Sequence, residues 1–149
     1  MVQKAAIEDL DSLARLAVQL WPSHAFEALK QELEGSLGNQ NTAFFLYFDG
    51  DLPAGFAQCQ LRYDYVEGTH SSPVGYLEGV FVQESHRGRG IAAELLSQCE
   101  RWAAENGCFE FASDCELANE ASYAFHLRHG FREVNRVICF CKKLQPEQD

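Results

Sequence analysis

Eight residues, QESHRGRG from Gln83 to Gly90, are all that separate the apolar run VGYLEGVFV from an apolar stripe at Ile91, Leu95, Cys99 and Trp102. The run has the composition of a strand, and the stripe has the spacing of a helix that stops at Asn106-Gly107. A strand that hands over to a helix so abruptly commits the chain to a layer of sheet with a helix packed against it. It also leaves the first backbone N–H groups of the helix without partners, at the positive end of its dipole. Gly88 and Gly90 remove the Cβ atoms that would hold an anion away from those groups, and Arg87 and Arg89 add charge with bidentate reach to phosphate oxygens. The corner reads as an anion site, although a tight turn with solvated arginines has the same composition. Other phosphate motifs fit poorly. No GxxxxGK followed by Ser or Thr is present, and GRGIAA satisfies GxGxxA too late in the chain to leave room for the alternating parallel strands of a dinucleotide fold.

That positive corner is local. Twelve Lys and Arg stand against twenty-two Asp and Glu, a net charge of -10, which disfavours a nucleic-acid backbone and favours cationic partners. A chain of 149 residues, 46% hydrophobic and 12% aromatic, reads as one packed domain over 1–149. Cys59, Cys99, Cys108, Cys115, Cys139 and Cys141 form no CxxC pair and have no His at metal-ligand spacing, so they read mostly as core thiols with no metal. The N-terminus is acidic at Glu8, Asp9 and Asp11 and lacks an apolar signal region. No apolar run nears the roughly eighteen residues of a membrane span, so the expectation is no membrane and a reducing cytoplasm that tolerates free thiols.

Leu10, Leu13, Leu16, Ala17 and Leu20 predict an amphipathic helix over 9–20, stopped by Pro22, with WPSH as an exposed corner. A weaker helix runs from Ala25 to Leu37. AFFLYF, DGD and LPAGFAQCQLRYDY make a hairpin joined at an Asp-Gly turn, and EGTHSSP is a loop. Glu78-Gly79 interrupts VGYLEGVFV as a bulge would. FEFASD is a further strand, Asn119 starts a short helix to His129 with Gly130 as its cap, and VNRVICFCKKL is expected to close the sheet. This order is an α+β layer structure without internal repeats.

Residues Arg87 to Ala92, RGRGIA, match the pattern R/Q-x-x-G-x-G/A, and this stretch resembles the pyrophosphate-binding turn of the GNAT acetyltransferases. The bulged strand before it, the capped helix from Asn119 and the HGF ending at Phe131 keep that superfamily's order. LWPSH, RYDYVEGTHSSPVGYLEGVFV and ASD are similar to the aminoglycoside 6'-N-acetyltransferases, through nearly the whole chain. The resemblance implies a GNAT fold, a mixed and mainly antiparallel sheet flanked by helices, with acetyl-CoA as co-substrate. It places the coenzyme on Arg87, Gly88, Arg89, Gly90, Ile91, Ala92 and Asn119, and its pantetheine arm along Phe81, Val82 and Gln83. It puts a small cationic amine against Trp21, His24, Tyr65, Glu78 and Asp114. It also implies a homodimer paired through C-terminal strands. Two departures stand out: His126 occupies the place of a thiolate-protonating tyrosine, with Tyr123 one turn earlier, and Asn135 replaces an acid found in some relatives.

The reaction so implied makes conflicting demands. An amine attacks a thioester only with its lone pair free, yet carboxylates that attract an ammonium raise its pKa, typically by about one to three units. Each unit costs about 1.4 kcal/mol in available nucleophile. One carboxylate near the reacting nitrogen must therefore take its proton while others hold amines that do not react. Glu78 is the candidate acceptor, since a bulge can turn it toward the cleft; otherwise it is an exposed strand glutamate. His126 is the second catalytic candidate, or a packed helix residue. Asp114 and Asn119 fit ordinary caps as well, and Trp21 and Tyr65 fit a core. Three functions remain open on this basis: acetylation of an aminoglycoside 6'-amine, acetylation of another amine (polyamine, amino acid or protein N-terminus), and a non-catalytic coenzyme A-binding module.

Overall fold

A computed structural model of the chain describes residues 1–145, so the last four residues of the expected single domain lie outside the described residues. Five strands form one sheet in spatial order β1 to β5: Val2–Lys4, Thr42–Asp49, Leu52–Arg62, Val74–Val82 and Phe111–Ser113. The first four are antiparallel neighbours, and β5 runs parallel to β4. Helices α1 (Leu10–Leu20) and α2 (Phe26–Leu37) follow β1, α3 (Ile91–Glu105) follows β4, and α4 (Glu120–Arg128) follows β5.

The apolar run of β2 is buried on both faces, and its alternation explains the layers. Phe44 and Leu46 pack with Phe56 against Leu13, Leu16, Leu29 and Leu33 of α1 and α2. Ala43 and Phe45 pack with Ala57 and Cys59 against Leu95, Leu96, Cys99 and Trp102 of α3. Leu13 is wholly buried at the centre of the first layer, so truncating it to Ala costs about 2–5 kcal/mol. The Asp-Gly turn of the β2–β3 hairpin forms as expected, with Gly50 at φ +62°.

The bulge falls where the sequence places it. Gln58 of β3 pairs with Gly79, and Cys59 pairs with Leu77, which leaves Glu78 as the extra residue of β4. Phe81 belongs to the α1 layer and Leu77 to the α3 layer. The inserted residue resets the alternation, so Glu78 and Gly79 both present to the α1 side, as their contacts with Arg62 and Trp21 record.

Three expectations are corrected. Residues 131–143 carry no regular structure, although VNRVICFCKKL has a strand's composition. Ladder hydrogen bonds define a strand, and within the described residues nothing pairs with the outer edge of β5, itself only three residues long. Val137, Ile138, Phe140 and Leu144 stand exposed there, Phe140 at 91%. The thiols are not mostly core: Cys59 and Cys99 are buried and Cys108 is half-buried, but Cys115, Cys139 and Cys141 are exposed. In the WPSH corner, Pro22, Ser23 and His24 are exposed while Trp21 is half-buried, its ring edge-on to Phe56 at 5.9 Å.

Candidate active site

The turn between β4 and α3 is bolted down by two side chains. His86 is buried, with Nε2 2.9 Å from the Asp49 carboxylate and Nδ1 2.8 Å from Ser85 Oγ, which ties the turn to the β2–β3 hairpin. Arg87 Nε donates to the Val82 carbonyl at 2.9 Å and fastens the turn to the end of β4, leaving the rest of its guanidinium for a ligand. Gly88 and Gly90 take left-handed φ values of +81° and +76°, and a Cβ built on either meets nothing within 4 Å. Glycine is needed there for its dihedral, and the face it presents is open. No side chain caps α3, and the N–H groups from Gly88 to Ala93 make no hydrogen bond within the described residues. A row of free donors at a 15-residue helix, with two guanidiniums beside it, fits the phosphate oxygens of a coenzyme.

Beside this turn the sheet splits. Pairing of β4 with β5 ends at Leu77 and Ser113, and a cleft of about 150 Å³ opens beyond them. Along it, the edge of β4 from Glu78 to Val82 has no strand partner on the β5 side, so the backbone groups of Val80 and the Val82 N–H point away from β3, while Phe81 pairs with Phe56 in the ladder and the Val82 carbonyl is taken by Arg87. Gln83 is already engaged, its N–H donating to Ala54 O at 2.8 Å.

Four elements supply the cleft's side chains: Trp21 from the end of α1, Glu78 from the bulge, Asp114 beyond β5, and Asn119 and His126 at α4. Trp21 can lie there because position 79 is glycine; a Cβ on Gly79 would come within 2.8 Å of the indole. Asn119 accepts from Ser122 N at 3.1 Å and so caps α4, while also lining the cleft. His126 is held at both nitrogens, Nδ1 2.6 Å from Ser122 O and Nε2 2.8 Å from Ser113 Oγ. A proton on Nδ1 fits the first contact, since a carbonyl only accepts. The Ser113 hydroxyl, also 3.2 Å from Leu77 O, can then donate to neutral His126 or accept from its charged form.

The two cleft carboxylates are tied together by residues that the sequence did not single out. Glu78 Oε1 accepts from Arg62 Nη2 at 2.8 Å, and the Arg62 guanidinium lies 3.5 Å above the centre of the Tyr76 ring. The Tyr76 hydroxyl donates to Asp114. Burial, and after it the bond to Asp114, push that hydroxyl above its ordinary value, so Tyr76 stays protonated and remains the donor. Parity was the only available signal: Gln60 pairs with Tyr76, which makes Arg62 its diagonal neighbour on the same face.

Other expected residues fall outside the cleft lining. His24 is exposed on its corner, and Tyr65 is 76% exposed with its hydroxyl 3.4 Å from Gly68 N. Tyr123 donates to Glu133 at 3.1 Å, and Asn135 donates to Glu67 at 2.7 Å, which links the C-terminal segment to the loop after β3. Among the described residues no group of three or more His, Cys, Asp or Glu is placed to hold a metal, and no helix is long and apolar enough to cross a membrane.

Comparison with known proteins agrees with this geometry. The Acetyltransferase (GNAT) family matches residues 7–131. Aminoglycoside N(6')-acetyltransferase type 1 of Serratia marcescens is 42% identical over 139 residues, 92% of this chain and 94% of that protein. The enzyme of the same name from Stenotrophomonas maltophilia is 40% identical over 147 residues, 97% of this chain and 94% of that one. Among solved structures, AAC(6')-Iy in complex with the bisubstrate analogue CoA-S-monomethyl-acetylneamine superposes with a TM-score of 0.92 at 37% identity, covering 96% of this chain and 97% of that one. The apo aminoglycoside 6'-N-acetyltransferase AAC(6')-IG of Acinetobacter haemolyticus superposes at 0.93 with 34% identity, covering 97% and 99%. The chain belongs to the GNAT acetyltransferase family, and within it groups with the aminoglycoside N(6')-acetyltransferases.

Proposed function

We propose that this protein transfers the acetyl group of acetyl-CoA to the 6'-amine of an aminoglycoside, by direct attack with both substrates bound. The observation that carries the reading is the adjacency of the open, donor-rich turn at Gly88–Ala93 to a cleft lined by Glu78 and Asp114. Acetyl-CoA, when bound, supplies the activated acyl thioester. The chain's own groups do the rest. Amides from Gly88 to Ala92, with Arg87 and Arg89, hold phosphate, and the free edge of β4 offers the Val80 and Val82 N–H groups to the pantetheine arm and to the carbonyl. Asn119 adds a contact to the coenzyme. Glu78 takes the proton of the reacting ammonium, directly or through water, and Asp114 holds a second, unreactive amine. His126, backed by Ser113, returns a proton to the leaving thiolate. Trp21 offers a face for a sugar ring, with His24 and Tyr65 joining when the substrate fills the cleft mouth.

Two further parts of this reading concern setting and assembly. Six free thiols suit the reducing cytoplasm. The exposed apolar residues of the C-terminal segment and the outer edge of β5, which pairs with nothing among the described residues, support a homodimer paired through these segments. Sedimentation of the full-length protein at micromolar concentration is expected to give a dimer; a monomer contradicts that assembly.

The direct test is thiol release from acetyl-CoA over a panel of aminoglycosides with and without a 6'-amine, polyamines, amino acids and peptide N-termini. Turnover confined to compounds bearing the 6'-amine is the expected result. Turnover only with polyamines or peptides overturns the substrate, and coenzyme binding with no turnover favours a non-catalytic module.

A further inference from the structure

Arg62 stands out because a cation sits inside a pocket built to capture cations. Its guanidinium donates to Glu78 Oε1 at 2.8 Å, lies 3.5 Å above the Tyr76 ring, and so joins Glu78 to the Tyr76–Asp114 pair. The contact is single rather than the two-pronged pairing that a guanidinium and a carboxylate often form. One nitrogen bonds to Glu78, and Nε is buried with no hydrogen-bond partner among the described residues, an arrangement that leaves a donor unsatisfied. Glu78 keeps Oε2 free of any side-chain partner within the described residues.

We propose that Arg62 is a positioning and charge-setting residue: it orients Glu78 and cancels one of the two negative charges that surround the acceptor nitrogen, holding down the proton affinity of the bound amine. The proposal rests on the acetyl-transfer reading above and deepens it. Two uncompensated carboxylates would bind a polycation more tightly, yet would keep its reactive amine protonated. With Arg62 in place the local sum is one negative charge from Glu78, Asp114 and Arg62 together, enough to attract an ammonium but easier to deprotonate against. Of the other titratable groups, Cys115 beyond β5 and His126 from α4 line this space, and Tyr76 from β4 touches Asp114 and Arg62; Tyr76 is held neutral by burial and by its bond to Asp114. In this arrangement catalysis is favoured at the expense of affinity, which separates a charge-setting role from a structural one.

The test compares Arg62→Gln and Arg62→Lys with the parent enzyme, using neamine as acceptor and saturating acetyl-CoA. For Arg62→Gln, the affinity for neamine rises and kcat falls, each by roughly three- to tenfold, the size of one unit charge several ångströms away in a wet cleft. The limb of the kcat–pH profile that reports the free amine moves to higher pH, because an added negative charge stabilises the ammonium form. Coenzyme affinity is unchanged, and Arg62→Lys restores the profile. Looser neamine binding with an unmoved pH limb, or a lysine variant no better than the glutamine one, overturns the proposal and makes Arg62 structural. If Arg62→Gln does not fold, Arg62→Lys and Tyr76→Phe carry the measurement: Lys retains the parental pH limb, and Phe, which keeps the ring under the guanidinium, retains the higher-kcat side of the trade. Loss of either result contradicts the role. Parent enzyme inactive on neamine and on every other 6'-amine aminoglycoside but active on another amine overturns the aminoglycoside reading alone, since the same comparison is then made with that amine; no turnover of any amine overturns both.

Discussion

The turn proposed to hold the coenzyme and the cleft proposed to hold the acceptor lie side by side but are made of different materials. Between Gly88 and Ala93 the groups on offer are backbone N–H donors on consecutive residues, and their geometry follows from two left-handed glycines and a helix start. In the cleft they are side chains from Arg62, Glu78, Asp114 and His126, which are 64 residues apart at the extremes and meet only because β3, β4, β5 and α4 do. A backbone site tolerates change in its neighbours and recognises a constant ligand. A side-chain site depends on register and can be retuned by single substitutions, as a variable acceptor demands.

The difference can be broken most sharply at Glu78. Glu78→Gln is expected to lower kcat by roughly a hundredfold or more, the usual contribution of a positioned base, while coenzyme affinity stays within twofold of the parent by about the same reasoning. A variant that loses coenzyme affinity instead would show that the two regions are not separate. Next in size is the turn. Replacing Arg87 and Arg89 together by Gln should weaken coenzyme binding roughly tenfold or more, with the loss shrinking as salt rises, since charge-assisted contacts are screened. Titration of coenzyme at low and high ionic strength reads this directly. Gly90→Ala, at φ +76°, should also weaken it, through about 1–2 kcal/mol of backbone strain rather than any clash.

The smallest effect lies beneath the cleft. The Tyr76 hydroxyl has its pKa raised above the ordinary 10.0, first by burial and then by Asp114. A group whose folded pKa is raised contributes stability that is complete below its unfolded value and is lost as pH climbs beyond it. Stability should therefore fall above about pH 10, and Tyr76→Phe should flatten that fall at a cost of about 1 kcal/mol at neutral pH. Denaturant titrations at neutral and alkaline pH test this; an unchanged alkaline slope places the titrating group elsewhere.

How far the sequence could be read follows the same division. The turn is contiguous, so QESHRGRG announced it, and the buried stripe of α1 and the bulge at Glu78-Gly79 were visible as local patterns. Arg62 and Tyr76 were not, because their meeting depends on Gln60 facing Tyr76 across the ladder and on which face each then shares. Ser113 gained a role only once α4 placed His126 against it at 2.8 Å. The segment after Phe131 has a strand's composition but pairs with no strand among the described residues, and composition cannot supply the second half of a ladder.

The most direct measurement of the central claim is a crystal structure of the ternary complex with coenzyme A and an aminoglycoside. The account predicts the pyrophosphate on the amides from Gly88 to Ala92, and the 6'-nitrogen within hydrogen-bond reach of Glu78 or of a water bound to it. Coenzyme phosphates lying away from that turn, or an aminoglycoside seated with its 6'-nitrogen remote from Glu78, would contradict it.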